Sequence, residues 1–303
     1  MSRPLLRRLR DRAEALLARG ALALLRALGP VRASNLGGAF ARSVGPWLPV
    51  SRVAGINLRH AMPELDEAAR RRVIRGVWDN LGRTVGELPH IAALGPAAVG
   101  PGWEFEGREI LHACRDAGGP VILFSAHIGC WEVLPRAAAV EGVRFASFYR
   151  AAGNPEVDAL INGMRRAAVG EEIPFFTKGG KGARAAVAHL ARGGRVGMLV
   201  DQKMNEGIEA RLFGRPAMTA ASGAAFALRF RCPLVPGHVV RTGPACFRIE
   251  VEPPLPFPDT GDHHADILAL TQAMNDCLER WIRAWPEGWL WLHRRFPREV
   301  YRR

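Results

Sequence analysis

From residue 102 onward, short apolar stretches alternate with segments of helical period, and this alternation constrains the fold more than any other property of the chain. Val121-Ile122-Leu123-Phe124 and residues 196–200 carry no polar side chain. A strand with water on one face alternates apolar and polar residues, so a run that is apolar throughout predicts a strand covered on both faces. Further strands are expected at 143–149, 173–176, 234–240 and 247–251, and helices from about Trp131 and at 157–166, 183–191, 220–230 and 266–284. Such interleaving predicts an α/β fold with a mixed, mostly covered sheet flanked by helices. The expected α/β domain occupies residues 101–303, after a helical membrane-docking region over 1–100, with Pro96, Gly100 and Pro101 marking the boundary.

The first fifty residues read as helix interrupted at Gly29-Pro30 and Pro46, and Pro63-Glu64-Leu65-Asp66 as a turn and cap before a helix over 67–90. A membrane-spanning helix needs about 20 consecutive apolar residues. Here Arg7, Arg8, Arg10, Asp11, Arg12, Glu14, Arg19 and Arg26 break every such window. Leu5, Leu6, Leu9, Leu16, Leu17, Leu24, Leu25 and Leu28 are interleaved with those arginines, the pattern of a basic amphipathic helix lying in a membrane interface. The net charge of +13, from 42 basic and 29 acidic side chains, suits an anionic partner. Almost all of it is arginine, since only Lys178, Lys181 and Lys203 are lysines. No zinc finger, RNA-recognition signature or aromatic-interleaved basic patch is present, so anionic lipid is expected in preference to nucleic acid.

Five scattered cysteines without a C-x-x-C pair point to a reducing compartment and away from a structural zinc site. Asp262-His263-His264-Ala265-Asp266 lacks the partner spacing of a metal site and reads as a helix start. Gly179-Gly180-Lys181-Gly182 lacks the spacing of a phosphate loop and reads as a helix entry. No metal or bound cofactor is expected.

The chemistry concentrates in Ser125-Ala126-His127-Ile128-Gly129-Cys130-Trp131-Glu132. A histidine ends a buried strand, and a carboxylate follows five residues later at a helix start. Gly129 relaxes the backbone between them, so the chain can curl and bring Glu132 back to the imidazole. A hydroxyl becomes a competent nucleophile when a base removes its proton, and histidine is suited to that near neutrality. A carboxylate on the other ring nitrogen fixes the tautomer and stabilises the imidazolium. No G-x-S-x-G elbow occurs, which fits direct transfer without a covalent intermediate.

Taken together, the ordered motifs resemble the late acyltransferases of lipid A biosynthesis, within the lysophospholipid acyltransferase superfamily. The likeness runs through Asn57-Leu58 with Met62-Pro63-Glu64, Asn80-Leu81-Gly82-Arg83 with Glu87, and His127 to Glu132. It continues through Tyr149-Arg150 with Asn154-Pro155 and Asp158, then Asp201-Gln202-Lys203, Phe213-Gly214-Arg215-Pro216-Ala217 and Trp289-Leu290-Trp291-Leu292-His293-Arg294. The resemblance implies His127 as general base and Glu132 as its partner. It also implies substrate-binding roles for Arg150, Asn154, Asp158, Asp201, Gln202 and Arg215. Asp201 could equally cap a turn, and Arg150 could be an ordinary surface arginine. The implied reaction moves a fatty acyl chain from acyl carrier protein to a hydroxyl of a lipid A precursor, at the cytoplasmic face of the inner membrane. The alternative within the superfamily is acylation of a lysophospholipid or phosphatidylinositol mannoside from acyl-CoA.

Overall fold

The computed structural model describes residues 3–170 and 172–302. Helix α1 (Arg3–Val44) contains a kink at Gly29, whose φ of 73° leaves the helical region just before Pro30. Proline cannot donate to the preceding turn, so the helix breaks there and restarts with Pro30 in its opening turn. A short 3-10 turn (Gly45–Trp47) leads to α2 (Ser51–Ala61). Helix α3 (Glu67–Glu87) follows, capped by the Asp66 carboxylate, which accepts from Ala69 N at 2.6 Å. It stops short of the expected His90: Pro89 forces a 3-10 segment (Leu88–Ala93). Helices α1 and α3 cross closely because a Cβ on Gly37 would stand 2.2 Å from the Gly82 carbonyl oxygen.

Then come β1 (Gly102–Glu106), α4 (Arg108–Asp116), β2 (Val121–Ser125), α5 (Leu134–Val140), β3 (Ala146–Tyr149) and α6 (Pro155–Val169). They are followed by β4 (Phe175–Thr177), α7 (Gly180–Ala191) and β5 (Arg195–Leu199). The hairpin β6 (Ile208–Leu212) and β7 (Arg215–Thr219), α8 (Ser222–Phe230), β8 (Leu234–Gly243), β9 (Cys246–Val251) and α9 (His263–Ala284) complete the order. Seven strands form one mixed sheet in the order β1-β9-β8-β2-β5-β3-β4. From β8 to β4 neighbouring strands are parallel, whereas β9 runs antiparallel to β8.

Alternate residues of β2 serve two cores, which explains its unbroken apolar run. Ile122 and Phe124 pack with residues of α2, α8 and α9, while Val121 and Leu123 pack with residues of α4 and α5. The expected helix after Trp131 begins at Leu134, with Pro135 in its first turn, where a missing N–H costs nothing. Asp262 caps α9 by accepting from His264 N, and Gly179 leads into α7.

Candidate active site

Strands β2 and β5 pair in parallel with a constant offset of 74 positions, ending at Ser125↔Leu199. Continuing that register two residues past each strand sets His127 beside Asp201. His127 Nδ1 lies 2.8 Å from Asp201 Oδ1, and the His127 backbone N–H donates to Oδ2 at 3.1 Å. Trp289 Nε1 donates to the same Oδ2 at 2.7 Å. The carboxylate is fully buried and therefore needs these donors. Burial opposes its ionisation, but the His127 charge and hydrogen bond outweigh it and hold Asp201 far below the usual carboxylate range.

An ionised Asp201 fixes the imidazole with Nδ1–H directed at the carboxylate and the lone pair on Nε2. Among the described residues none hydrogen-bonds Nε2, and the side chain keeps 18% of its exposure. Burial works against the charged imidazole, yet Asp201, with Glu132 adding to it, leaves the His127 pKa raised. The loop is pinned as well: Leu290 N donates to His127 O at 2.9 Å and Gly129 N to Gly288 O at 3.0 Å. Gly129 has φ +60°, and a Cβ there would sit 2.1 Å from the Val239 carbonyl oxygen, so only glycine fits.

Leu123 and Ser125 share one face of β2 and line an open cavity of about 780 Å³, solvent at its mouth included; His127 is outside its wall, but its ring packs edge-on against Trp131 of that wall, with centroids 5.2 Å apart. Leu134, Phe145, Ala168, Val169, Phe175 and Leu199 are among its apolar walls, contributed by the sheet, α5 and α6. Gly197 forms part of the floor. The charged groups in the wall are Glu132 and Arg165.

A family profile for bacterial lipid A biosynthesis acyltransferases matches residues 4–298. The chain belongs to that family. It is 27% identical over 115 residues to the lipid A biosynthesis myristoyltransferase of Escherichia coli (strain K12). The same identity over 115 residues relates it to the lipid A biosynthesis acyltransferase 1 of Shigella flexneri. Each match spans 38% of this chain and 36% of the relative, so it covers about a third of the length of these curated relatives.

Family motifs and observed geometry differ at Glu132. Glu132 is not on the imidazole: Arg165 Nε donates to its Oε2 at 2.9 Å and Nη2 to its Oε1 at 2.5 Å. Residues 131–133 lie in a turn that precedes α5, and the side chain meets α6 instead of doubling back. Arg165 went unnoticed in the sequence because nothing local marks one arginine of α6. Asp201 takes the position expected for Glu132.

The remaining candidates separate. Arg150 is exposed just beyond β3 and makes no hydrogen bond or ion pair among the described residues. Its neighbour Tyr149 accepts from Lys178 N at 3.1 Å, placing the two basic residues on adjoining strand ends. Asp158 accepts from Ala152 N at 2.7 Å and Asn162 Nδ2 at 2.9 Å, steadying the loop after Arg150. Asn154 does not face the cavity. It caps α6 and donates to Asp11 O at 2.7 Å and Glu14 Oε2 at 3.1 Å, tying α6 to α1. Gln202 is half-buried beside Asp201, and Arg215 is exposed at the start of β7, outside the cavity wall.

Trp289 and Trp291 are fully buried, which identifies them as core residues and not interfacial anchors. His293 packs edge-on against Trp289, with ring centroids 5.2 Å apart. Burial lowers its pKa. Burial and the nearby Glu87 carboxylate hold the Cys130 thiol well above its ordinary value, so Cys130 is a protonated filler. Among the described residues no group of three or more His, Cys, Asp or Glu is placed to hold a metal ion.

Proposed function

We propose that the chain transfers a fatty acyl group from a thioester to a hydroxyl of a lipid A precursor, with His127 as general base and Asp201 as its orienting carboxylate. One observation carries this reading: the Asp201-held imidazole of His127 packs edge-on against Trp131, whose side chain lines an apolar-walled cavity suited to an acyl chain. The acceptor hydroxyl attacks the thioester carbonyl carbon while Nε2 takes its proton. The C–S bond then breaks, the ester remains, and the imidazolium returns the proton to the leaving thiolate. Arg165, engaged by Glu132 through Nε and Nη2 in the cavity wall, is the proposed cation for the developing oxyanion. Arg150 and Lys178 are the proposed contacts for acceptor phosphates, with Gln202 beside the site.

The proposed donor carrier is acyl carrier protein, whose acidic surface complements the chain's net charge of +13. The proposed location is the cytoplasmic face of the inner membrane. No helix among the described residues is long and apolar enough to cross a membrane. Exposed apolar side chains on both sides of the Gly29 break support docking in its interface: Leu17 and Leu24 at seven-residue spacing before it, then Leu36, Phe40 and Val44 at four-residue spacing after it. Trp47, 86% exposed, extends the second set. The side chains of Leu5, Leu6 and Leu9 lie outside the described residues, while Leu25 and Leu28 turn partly inward.

Mass spectrometry of a lipid A precursor incubated with the protein and a panel of acyl carrier protein thioesters tests the reading. One added acyl mass, absent with His127→Ala, is expected. A gain confined to a lysophospholipid or mannoside acceptor would overturn the acceptor, and wild-type rates from folded His127→Ala would overturn the mechanism.

A further inference from the structure

Neither Asn80 nor Glu87 lines the cavity, yet both lie in a buried polar cluster that ends on the His127 loop. Glu87 is fully buried on α3 and pairs with Arg241 of β8, whose side chain is 7% exposed. Glu87 Oε1 also accepts from Ser34 Oγ of α1 at 2.7 Å and from Ala245 N at 3.0 Å. Arg241 then donates through Nε to Asn80 Oδ1 at 2.9 Å and through Nη2 to Thr84 Oγ1 at 3.1 Å. A guanidinium has donors only, so Asn80 must present its oxygen to Arg241 and turn its NH2 away.

That NH2 reaches two backbone carbonyls at once, Gly129 O at 3.0 Å and Gly288 O at 3.1 Å. Thr84 Oγ1 donates to Asn80 O at 2.9 Å and also lies 3.3 Å from Gly129 O. Gly129 lies two residues beyond His127, and Gly288 directly precedes Trp289, the indole that holds Asp201. The two segments are joined by an antiparallel bridge between Ile128 and Trp289. One amide therefore clamps together the strand extension carrying the imidazole and the segment positioning its carboxylate.

We propose that Asn80, Thr84, Glu87 and Arg241 are positioning residues for the His127–Asp201 pair. The proposal rests on the reading of His127 as base. Burying an ion pair is by itself a weak source of stability, since apolar replacements of equal volume often serve as well. Its use here is directional: the pair fixes which way the Asn80 amide points, and the amide fixes where Gly129 and Gly288 sit.

The test uses the full chain with Asn80→Ala and Thr84→Val, each alone and on a His127→Ala background, with circular dichroism and thermal melting to verify folding. A misplacement of about 1 Å can cost about 10² in rate. Asn80→Ala is thus expected to lower kcat by about 30- to 100-fold with KM within about twofold, and Thr84→Val by about three- to tenfold. On the His127→Ala background Asn80→Ala should cause no further fall, because its effect is exerted through the imidazole. Wild-type kcat in folded Asn80→Ala, or the same fold loss repeated without His127, would overturn the proposal. If Asn80→Ala does not fold, Thr84→Val, which keeps the side-chain volume, decides: unchanged kcat overturns it. A wild-type rate from His127→Ala alone is a separate result that removes the base reading, and this proposal with it.

Discussion

Asp201→Asn is nearly isosteric, so its consequence follows from hydrogen-bond directions alone. Oδ2 takes two fixed donors, the His127 N–H at 3.1 Å and Trp289 Nε1–H at 2.7 Å, whereas Oδ1 faces only Nδ1 at 2.8 Å. An asparagine puts its one oxygen where two donors converge and its NH2 against Nδ1. Nδ1 must then be the acceptor, which places the ring proton on Nε2 and removes the base. Restoring the productive tautomer turns the amide over and leaves two buried N–H groups facing an NH2, at about 1–3 kcal/mol each. A penalty of about 2–6 kcal/mol corresponds to roughly 30-fold to 10⁴-fold in rate. The lost stabilisation of the imidazolium adds to it, so a fall in kcat of about 10³ to 10⁴ is expected. Steady-state kinetics against pH reads both effects. The base must be neutral, so wild-type kcat/KM falls as pH drops through the raised His127 pKa. Without the Asp201 charge that acid limb moves to lower pH. A folded Asp201→Asn protein within about threefold of wild-type kcat, or one whose acid limb stays in place, would refute the reasoning.

Glu132→Gln removes one charge-assisted partner of Arg165 and spares the Asp201 bond, so turnover should drop by about 10- to 100-fold, less than for Asp201→Asn; the reverse order in parallel assays would return Glu132 to the imidazole. Full burial of a large apolar side chain contributes about 1.5–3 kcal/mol. Replacing Leu24, Phe40 and Trp47 with Ser should therefore lower partitioning onto anionic vesicles by at least about tenfold in a sedimentation assay, and unchanged partitioning would remove these side chains from the membrane contact. A Cβ on Gly197 meets only ordinary contacts, 3.5 Å from Phe145 Cβ and Ser147 Oγ, so Gly197→Leu should fold and fill the cavity floor. It should shift donor preference toward shorter acyl chains, and an unaltered chain-length profile would place the acyl group elsewhere. Buried His238, stacked on Trp281, has its pKa lowered to about 4 by burial. The unfolded chain therefore takes up this proton first, and stability should fall by up to about 1.4 kcal/mol per pH unit between pH ~6.5 and ~4. His238→Phe should flatten that slope in urea titrations, and an unchanged slope would assign it to other groups.

What was legible in the sequence depended on how local its cause is. The apolar runs at β2 and β5 announced themselves because both faces of each strand are covered, and Asp66 and Pro135 marked helix starts through their own backbone chemistry. Strand β1 escaped notice although Trp103 and Phe105 alternate with glutamates, because the flanking Pro101 and Gly100 read as linker. The hairpin β6–β7 turns on Phe213 and Gly214, with φ of 54° and 68°. A bulky residue in that region is uncommon, so the usual Asn-Gly or Asp-Gly signal was missing.

The site shows the same division at higher resolution. His127 was visible as the end of a buried strand, but its partner is fixed by strand order: β5, 74 positions on in register, lies next to β2. Local curling favoured Glu132, five residues away, and that inference assumed a helix starting at Trp131. The helix starts at Leu134 instead, and Glu132 is left in a turn where the nearest cation, Arg165, captures it. A carboxylate near in sequence lost to one near in register because parallel pairing carries both backbone extensions past the sheet edge in step. Asp201 is reached at full burial and with two further donors already in place, whereas Glu132, whose side chain keeps 15% of its exposure, is already engaged by Arg165. The same logic explains why Glu87 looked like a bare motif residue. Its action on the His127 loop passes through Arg241 and Asn80, neither of which is adjacent to it in sequence.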